Sequence, residues 1–446
     1  MEDILNSKLI LPCGTTLKNR ICKSALTERI AEGNNLVNQK HLNLYEKWAE
    51  GDVGTVLTGN VQVDKRYLES AGNVAIEKSN YKYQIDLLRK WTEVGTKNNT
   101  NLWMQISHAG RQTPGDLNMK PVAPSDVGLK IPGRKYGTPK PLTNEEIEDV
   151  IERFIFTAKV AQDTGFTGIQ IHSAHGYLMS EFLSPDINRR EDQWGGSLEN
   201  RSRILLRIIN GCRKELGENF PISVKLNSAD FQKGGFSAED SSKVAAMLSD
   251  AKIDLLEISG GTYEQPRLLG LDSVSINPER SEARKESTIA REAYFLAYTE
   301  EIKKVIDIPL MVTGGFRSRV AMEDAINKGA CEIIGIGRPL CSDPLSIKKL
   351  LDKEIDILPM FEKTLSIGPG WLSSNSPFRL IQAINAFGIQ SWFYSQIRRI
   401  SEGLDPDLSM NPLKAFRSDG KIDKQTVQSY KSVSYTHLTL PTNREV

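Results

Sequence analysis

The chain has no long apolar run and no surplus of either charge. It carries 57 Lys and Arg against 56 Asp and Glu in 446 residues, a formal net charge of +1. This balance argues against nucleic acid or an anionic membrane surface as a partner. No apolar stretch approaches the ~20 residues of a transmembrane helix. The start, Met1-Glu2-Asp3, lacks the basic segment of a signal peptide, so we expect no export.

Cysteine is also scarce, and its spacing excludes a disulfide framework. The chain has 5 cysteines, an odd number, at scattered positions: Cys13, Cys22, Cys212, Cys331 and Cys341. Such a set favours reduced thiols and therefore a cytoplasmic protein. The hydrophobic content of 39% and charged content of 25% are ordinary for a globular enzyme, so composition alone excludes disordered and fibrous classes.

Short apolar runs alternate with longer amphipathic ones along most of the chain. The predicted strands are Ile21–Ala25, Thr55–Thr58, Leu102–Ser107, Gly168–His172, Ile222–Leu226, Leu255–Ser259, Leu310–Val312 and Ile333–Ile336. The predicted helices are Gln39–Glu50, Tyr81–Lys97, Asn144–Thr164, Leu198–Leu216, Ala238–Ser249, Arg291–Val305, Val320–Lys328 and Leu345–Leu351. Eight strands that are each followed by a helix predict an α/β fold of the (β/α)8 TIM-barrel type.

A doubly wound sheet is the rival architecture, but it carries a glycine fingerprint after its first strand. Here Ile21–Ala25 leads into Leu26-Thr27-Glu28 instead. The segment Leu9–Leu17, which contains Gly14, is expected to form a hairpin across the barrel floor. The capping pairs Thr143/Glu146 and Ser237/Asp240 predict two helix starts.

We expect three regions along the chain. Residues 1–355 form the barrel, and residues 356–432, which are rich in aromatic side chains, form a helical extension. The extension is expected to pack on the barrel, with a lid or a partner contact as the alternative. Residues 433–446 differ in character from the rest and are interpreted as translated vector sequence or a disordered tail.

Two features predict a site at the carboxyl ends of the strands. The run His172-Ser173-Ala174-His175-Gly176-Tyr177 follows the strand Gly168–Ile171 and places two imidazoles and a phenol at one edge of the core. A zinc site would need a third ligand. The candidate, His108, lies on another predicted strand, so we disfavour zinc.

Glycine-bearing turns follow the last two predicted strands. They read Thr313-Gly314-Gly315-Phe316-Arg317 and Gly335-Ile336-Gly337-Arg338-Pro339. Glycines let backbone N–H groups approach a phosphate closely, and an arginine adds a charge. A single Gly-Gly is often only a tight turn, but two such turns at the end of a barrel favour phosphate binding.

These motifs together resemble the Old Yellow Enzyme family of FMN-dependent ene-reductases (NADH:flavin oxidoreductases). The resemblance covers roughly Leu5 to Leu351. Its specific motifs are Lys18-Asn19-Arg20-Ile21, Gln105-Ile106-Ser107-His108-Ala109-Gly110-Arg111, the run from His172 to Tyr177, Glu181-Phe182-Leu183-Ser184-Pro185, the loop from Gly195 to Arg201 and the two glycine turns. Several independent motifs occur in the family's order.

The resemblance implies FMN as cofactor, NADH or NADPH as reductant and a small activated alkene as substrate, such as an enone, a nitroalkene or a quinone. His172 and His175 are expected to donate hydrogen bonds to the substrate oxygen. Tyr177 is expected to protonate the α-carbon while hydride reaches the β-carbon. The reductant and the alkene would use the same pocket in turn, which implies ping-pong kinetics.

The resemblance also implies a set of cofactor contacts: Ala25, Thr27, Gly59, Asn60, Gln105, Lys225, Gly314, Gly315, Gly337 and Arg338. Gln105 is expected at the polar edge of the flavin and Thr27 near its O4 or N5. Lys225 stands where the best-known members carry arginine, so the charge stays but the planar fork is lost. Many relatives have proline at the position of Ala25. Glu28 departs from the apolar or basic residue usual in relatives. A carboxylate near the dimethylbenzene side of the flavin would either repel acidic substrates or pair with a neighbouring arginine, and the effect on substrate range is not predicted.

Some points stay open at this level. After residue 330 the chain has two cysteines, and the iron–sulfur cluster of the family's larger members needs four, so we expect no such cluster here.

A non-redox phosphate-binding barrel, a lyase or isomerase with Lys225 as Schiff-base candidate, is one alternative function. A non-catalytic flavin-binding protein is another. Family members are often dimers or larger, so a homo-oligomer is expected. The physiological alkene and the choice between NADH and NADPH are not predicted.

Overall fold

Eight parallel strands close into a barrel. The computed structural model describes residues 3–129, 131, 134–260 and 296–439. The strands are β1 (Ile21–Lys23), β2 (Thr55–Leu57), β3 (Asn101–Ser107), β4 (Gly168–Ser173), β5 (Ile222–Asn227), β6 (Leu255–Ser259), β7 (Leu310–Thr313) and β8 (Ile333–Ile336). Each strand pairs in parallel with the next, and β8 pairs with β1 through Ile334 and Ile21. The prediction of a (β/α)8 barrel is therefore confirmed.

The helices follow the predicted order with shifted ends. They are α1 (Gln39–Glu50), α2 (Ile85–Gly95), α3 (Asn144–Asp163), α4 (Leu178–Leu183), α5 (Leu198–Leu216), α6 (Ala238–Asp250), α7 (Leu296–Lys303), α8 (Arg319–Asn327), α9 (Pro339–Ser342), α10 (Ser346–Leu351), α11 (Phe361–Thr364), α12 (Arg379–Ser401) and α13 (Pro412–Thr439). The predicted helix Tyr81–Lys97 is shorter than expected. Tyr81–Tyr83 forms a separate 3-10 turn, and Asn98 and Asn99 adopt left-handed backbone shortly after the carboxyl end of α2. Residues 291–295 of another predicted helix lie outside the described residues.

Capping interactions set the start of several helices. The Thr143 hydroxyl accepts a hydrogen bond from the Glu146 amide at 3.2 Å, and the Glu146 carboxylate accepts one from the Thr143 amide at 2.9 Å. Ser237 caps α6 in the same way through the Asp240 amide at 3.0 Å. These contacts satisfy amides that have no partner within the helix. Both predicted capping signatures are confirmed.

The barrel interior changes from apolar to polar along its axis. A short antiparallel hairpin, Leu9–Ile10 with Thr16–Leu17, covers the floor as predicted. It packs against a layer of apolar side chains that includes Trp103, Leu255 and Met311. Because alternate residues of a strand face the same side, the next inward residues lie one layer higher. These are polar or small: Gln105, Glu257, Thr313 and Gly335.

The region beyond the barrel is helical. The helices α12 and α13 pack against each other, and α12 also contacts α1 and α9. Helix α13 continues to Thr439, past residue 433 where the tail of vector or disordered sequence was expected to begin. Residues 440–446 lie outside the described part of the chain. Within the part described, no helix has the length and apolar character needed to cross a bilayer.

Candidate active site

One cavity of about 260 Å³ lies at the carboxyl ends of the strands. It brings together residues that are far apart in the sequence but were predicted to share a site. Those that line it are Ala25, Thr27, Asn60, Gln105, His172, His175, Tyr177, Lys225, Gly314, Gly315, Gly337 and Arg338. Parallel strands explain this arrangement, since all eight strand ends open on the same face of the barrel.

Gly59 is the exception among the predicted contacts. Its backbone N–H donates to the Glu28 carboxylate at 3.1 Å and lies 3.0 Å from the Tyr45 hydroxyl oxygen, and the residue does not line the cavity. A Cβ at this position would stand 2.7 Å from the Leu26 carbonyl oxygen. The glycine therefore allows two loops to pack closely behind the cavity, while the adjacent Asn60 reaches it.

Glu28 points into the barrel wall rather than toward a substrate. Its carboxylate accepts a short hydrogen bond from the Tyr45 hydroxyl and lies 3.5 Å from the Lys23 ammonium. Lys23 also donates to the Leu57 carbonyl at 2.8 Å and lies 4.0 Å above the Trp48 ring. Burial raises the pKa of Glu28, and Lys23 opposes that shift. Of the two roles considered for Glu28, repulsion of acidic substrates and pairing with a cation, the structure shows an ion pair, with Lys23 in place of the expected arginine.

His172 is held in one neutral form. Its Nδ1 accepts a hydrogen bond from the Ala174 amide at 3.2 Å, so the ring proton lies on Nε2. Burial lowers the pKa of His172 well below its ordinary value, and the nearby His175 and Lys225 act in the same direction. At neutral pH this imidazole is consequently an uncharged hydrogen-bond donor.

His175 adopts a left-handed backbone, with φ of 62°, that its neighbours hold in place. Its amide donates to Asn227 Oδ1 at 3.1 Å, and its carbonyl accepts from Gln112 Nε2 at 2.8 Å. Its Nε2 lies 2.8 Å from the Ser259 hydroxyl. Burial and Lys225 lower the pKa of His175 as well. Three partners from separate elements thus orient this ring.

The two imidazoles and the phenol form one aromatic cluster. The ring centroids of His172 and Tyr177 are 4.8 Å apart, and those of His172 and His175 are 5.2 Å apart, with nearly perpendicular planes in both pairs. Tyr177 immediately precedes α4 and is buried. Two imidazole rings and a hydroxyl therefore reach the same small space.

A polar network crosses the barrel beneath this cluster. Lys225 Nζ lies 3.0 Å from Glu257 Oε1, and the Thr313 hydroxyl donates to the same oxygen at 2.6 Å. Gln170 donates to Glu257 at 2.8 Å and accepts from Gln105 Nε2 at 2.7 Å. The strand register sets these contacts, since Lys225 is paired with Glu257 across the sheet. The network fixes the orientation of the Gln105 amide and of the Lys225 cation.

The residues present fit FMN. Gln105 Oε1 is buried and has no hydrogen-bond partner among the described residues, so it can accept from an N–H of a ligand. Gly314 and Gly315 adopt positive φ, at 127° and 89°, which suits backbone amides that face a phosphate. A Cβ on Gly335 would stand 1.9 Å from the Thr313 hydroxyl oxygen, so that strand end has room for backbone only. Arg338 adds a cation at the same end.

The cavity has one wall that the sequence analysis did not assign to the site. Helix α12 contributes Ala386, Ile389, Gln390, Phe393, Tyr394 and Ile397. The extension was expected mainly to pack on the barrel. The spacing of three and four residues between these positions is a helical face that the sequence carries, but nothing in the sequence indicates which surface that face meets. Ser24 and Ser259, at strand ends, were also missed.

The comparisons with known proteins agree with this geometry. A sequence model of the NADH:flavin oxidoreductase / NADH oxidase family matches residues 12–355. The NADH-dependent flavin oxidoreductase iliE of Hypocrea jecorina (strain QM6a) is 36% identical over 363 residues, which cover 77% of this chain and 88% of the relative. The NADH-dependent flavin oxidoreductase iccE of Talaromyces variabilis is 32% identical over 423 residues, 90% of this chain and 99% of the relative.

A solved structure supports the fold. The old yellow enzyme homologue from Zymomonas mobilis superposes with a TM-score of 0.66 at 24% identity, over 80% of this chain and 95% of that chain. The family match covers all eight barrel strands and the strand-end motifs that line the cavity, and it ends before α12. The chain therefore belongs to the NADH:flavin oxidoreductase / NADH oxidase family, and it is an oxidoreductase that uses FMN as cofactor and a nicotinamide nucleotide as reductant.

Proposed function

We propose that this enzyme reduces activated C=C bonds, such as those of enones and nitroalkenes, with electrons from NADH or NADPH. The observation that supports this most directly is the cluster of His172, His175 and Tyr177 in the cavity that Gln105 and Lys225 also line. Neutral donors suit a substrate oxygen that gains negative charge during the reaction, because they need no deprotonation to bind it.

FMN, when bound, supplies the hydride. His172 Nε2–H donates a hydrogen bond to the carbonyl or nitro oxygen of the substrate, and this polarises the conjugated double bond. As the β-carbon accepts hydride, negative charge moves toward that oxygen, where the donor stabilises it. His175 supports the same oxygen from its position held by Asn227, Gln112 and Ser259.

Tyr177 completes the reduction by giving its hydroxyl proton to the α-carbon. An ordinary tyrosine has a pKa of ~10, but a carbanionic carbon is far more basic, so transfer is downhill. The phenolate then regains a proton from water. Lys225 keeps a cation beside the pocket throughout, and its ion pair with Glu257 holds it in place.

An anaerobic half-reaction experiment tests this function. NADH is expected to bleach the flavin band near ~450 nm, and 2-cyclohexen-1-one is expected to restore it with formation of cyclohexanone. Tyr177→Phe should slow the restoration by about 10²-fold or more while leaving the bleaching by NADH nearly unchanged. Tyr83→Phe, at an exposed site, is the matched control.

Two results would contradict the proposal. If no enone or nitroalkene restores the band of the reduced wild type, the chain is a flavin protein with another acceptor. If Tyr177→Phe restores it at the wild-type rate, the proton comes from elsewhere. The non-redox lyase or isomerase alternative has no support, because the chain belongs to an oxidoreductase family.

A further inference from the structure

The extension places one complete helical face against the cavity. The six positions of α12 that line it follow a strict helical spacing: Ala386, Ile389, Gln390, Phe393, Tyr394 and Ile397. Four of these side chains are apolar and two are neutral and polar. The face carries no ionised group, in contrast to the strand ends opposite, which carry Lys225 and Arg338.

The two polar residues form a pair. Gln390 Nε2 donates to the Tyr394 hydroxyl oxygen at 3.2 Å. Burial raises the pKa of Tyr394 to about 12, so the hydroxyl keeps its proton at neutral pH. Among the described residues this is the hydroxyl's single hydrogen bond, and in it the oxygen accepts. The Tyr394 O–H and Gln390 Oε1 therefore remain available to a ligand as donor and acceptor.

Ion pairs hold this wall in place. Asp419 of α13 accepts hydrogen bonds from Arg398 of α12, from Arg29 at 3.3 Å and from Ser391 at 3.2 Å. Arg29 follows the loop that carries Thr27, and its guanidinium lies 5.1 Å from the centre of the Tyr394 ring. These contacts fix the position of the α12 face relative to the barrel.

We propose that this face of α12 recognises the part of the substrate that does not react, with Tyr394 and Gln390 as specificity-determining residues. The substrate class is an uncharged, mostly apolar and elongated alkene with a hydrogen-bonding group at the end remote from its activated double bond. The face has no ionised side chain to pair with a charged group, and the nearby Arg29 is already paired with Asp419 and Asp423. A charged group there would be buried without a partner of its own, which is strongly unfavourable. This inference rests on the proposed reduction of alkenes.

The closing experiment compares two flat probes, 4-phenyl-3-buten-2-one and its para-hydroxy derivative, on the FMN-loaded enzyme. Their dissociation constants are measured from the perturbation of the flavin absorbance, and their kcat/KM values from NADH-driven turnover. We expect the wild type to favour the para-hydroxy probe by about tenfold, the size of one well-placed hydrogen bond. Tyr394→Phe should abolish that preference. Gln390→Leu, an independent test of the same hydrogen-bonded pair, should reduce it.

Phe387→Ala is the matched control, because Phe387 lies on the same helix but faces away from the cavity. It should keep the wild-type preference. The rate of flavin reduction by NADH should be unchanged in Phe387→Ala, and FMN affinity should be unchanged in Tyr394→Phe. A fall in FMN affinity in that variant overturns the inference, because the wall would then contact the cofactor.

The remaining outcomes separate the two proposals. A wild type that binds both probes equally, or variants that weaken both probes alike, overturns the inference about α12. A wild type that prefers the para-hydroxy probe in binding, loses the preference in Tyr394→Phe, yet reduces neither probe supports recognition by α12 and overturns alkene reduction.

Discussion

The guanidinium of Arg29 lies 3.3 Å from Asp419 Oδ2, although 390 residues separate them in the sequence. Arg29 belongs to the segment after β1, and Asp419 belongs to the last helix. Both side chains are largely buried, and Arg398 approaches the same carboxylate. This cluster joins the first loop at the carboxyl face of the barrel to the extension that forms one wall of the cavity.

Asp419→Asn should loosen that junction. Removing one partner of a buried ion pair leaves the remaining charges unsatisfied, so we expect the free energy of unfolding to fall by about 3 kcal/mol. The helices α12 and α13 should also become sensitive to protease before the barrel does. Urea denaturation and limited proteolysis measure the two effects. Asp352→Asn, in the exposed pair with Lys348, should change stability by less than about 0.5 kcal/mol.

Gln105→Leu should weaken FMN binding by about tenfold, because the variant removes a buried acceptor that has no partner within the described protein. Fluorescence titration of FMN with apoprotein measures the dissociation constant. Gln162→Leu, on the outer helix α3, is the control and should bind FMN like the wild type. An unchanged dissociation constant for Gln105→Leu would exclude contact between this amide and the flavin.

Gly335→Ala should disrupt the strand end beneath the cavity. The added Cβ would meet the Thr313 hydroxyl at 1.9 Å and the Ser24 hydroxyl at 2.5 Å, and these two hydroxyls share a hydrogen bond of 2.8 Å. Overpacking of this kind costs about 1–3 kcal/mol, and FMN affinity should fall with it. Thermal denaturation and FMN titration provide the test.

Gly420→Ala is the counterpart on α13. No heavy atom lies within 4 Å of the Cβ that the substitution adds. An alanine within a helix is favoured over glycine by about 0.5–1 kcal/mol, so this variant should be slightly more stable. If both variants lose stability equally, the close contacts at Gly335 are not the cause.

Acid should destabilise the protein already below pH 6.5. Burial lowers the pKa of His41 to about 3 and that of His108 to about 4, and it lowers the pKa values of His172 and His175 strongly. Unfolded histidines titrate near ~6.5, so below that pH the unfolded state binds more protons than the folded state. The stability is therefore complete above pH 6.5 and declines as the pH falls, by up to about 1.4 kcal/mol per pH unit for each histidine.

His41→Gln isolates one of these contributions. The glutamine keeps a hydrogen-bond acceptor at the start of α1, where His41 Nδ1 accepts from the Asn38 amide at 3.2 Å. Between pH 6.5 and 5.5 the unfolding free energy of this variant should decline less steeply than that of the wild type. Gln39→Ala, at an exposed position of the same helix, should keep the wild-type slope. Equal slopes in all three proteins would show that His41 titrates normally.

The strand and helix pattern was readable from the sequence because each barrel unit repeats a short apolar run and an amphipathic helix. The boundaries were less certain, as the left-handed Asn98 and Asn99 after α2 illustrate. The site residues at strand ends were also readable. A closed parallel barrel brings the carboxyl end of every strand to one face. The topology alone therefore predicts that the motifs on β3, β4, β5 and β8 lie close together.

What the linear chain could not specify is where each side chain points once loops from different units pack together. Glu28 was expected near the dimethylbenzene side of the flavin, either free to repel acidic substrates or paired with an arginine. The fold gives it Lys23, Tyr45 and the Gly59 amide as partners, because a buried carboxylate takes the nearest compensating charge and donors. Likewise, the spacing of the α12 residues indicates a helical face, but only the fold shows that this face meets the open end of the barrel.

Local chemistry therefore settled the barrel, the family and the hydrogen-bonding cluster of His172, His175 and Tyr177, since these depend on short motifs and on the periodicity of single elements. Tertiary structure decided the wall formed by Tyr394 and its neighbours. Side chains of α12 such as Trp392 and Ile397 join the hydrophobic core, and Asp419 ties Arg398 of the same helix to Arg29 of the barrel. An attraction between charges hundreds of residues apart has no counterpart in local sequence, and it acts only after the chain has folded.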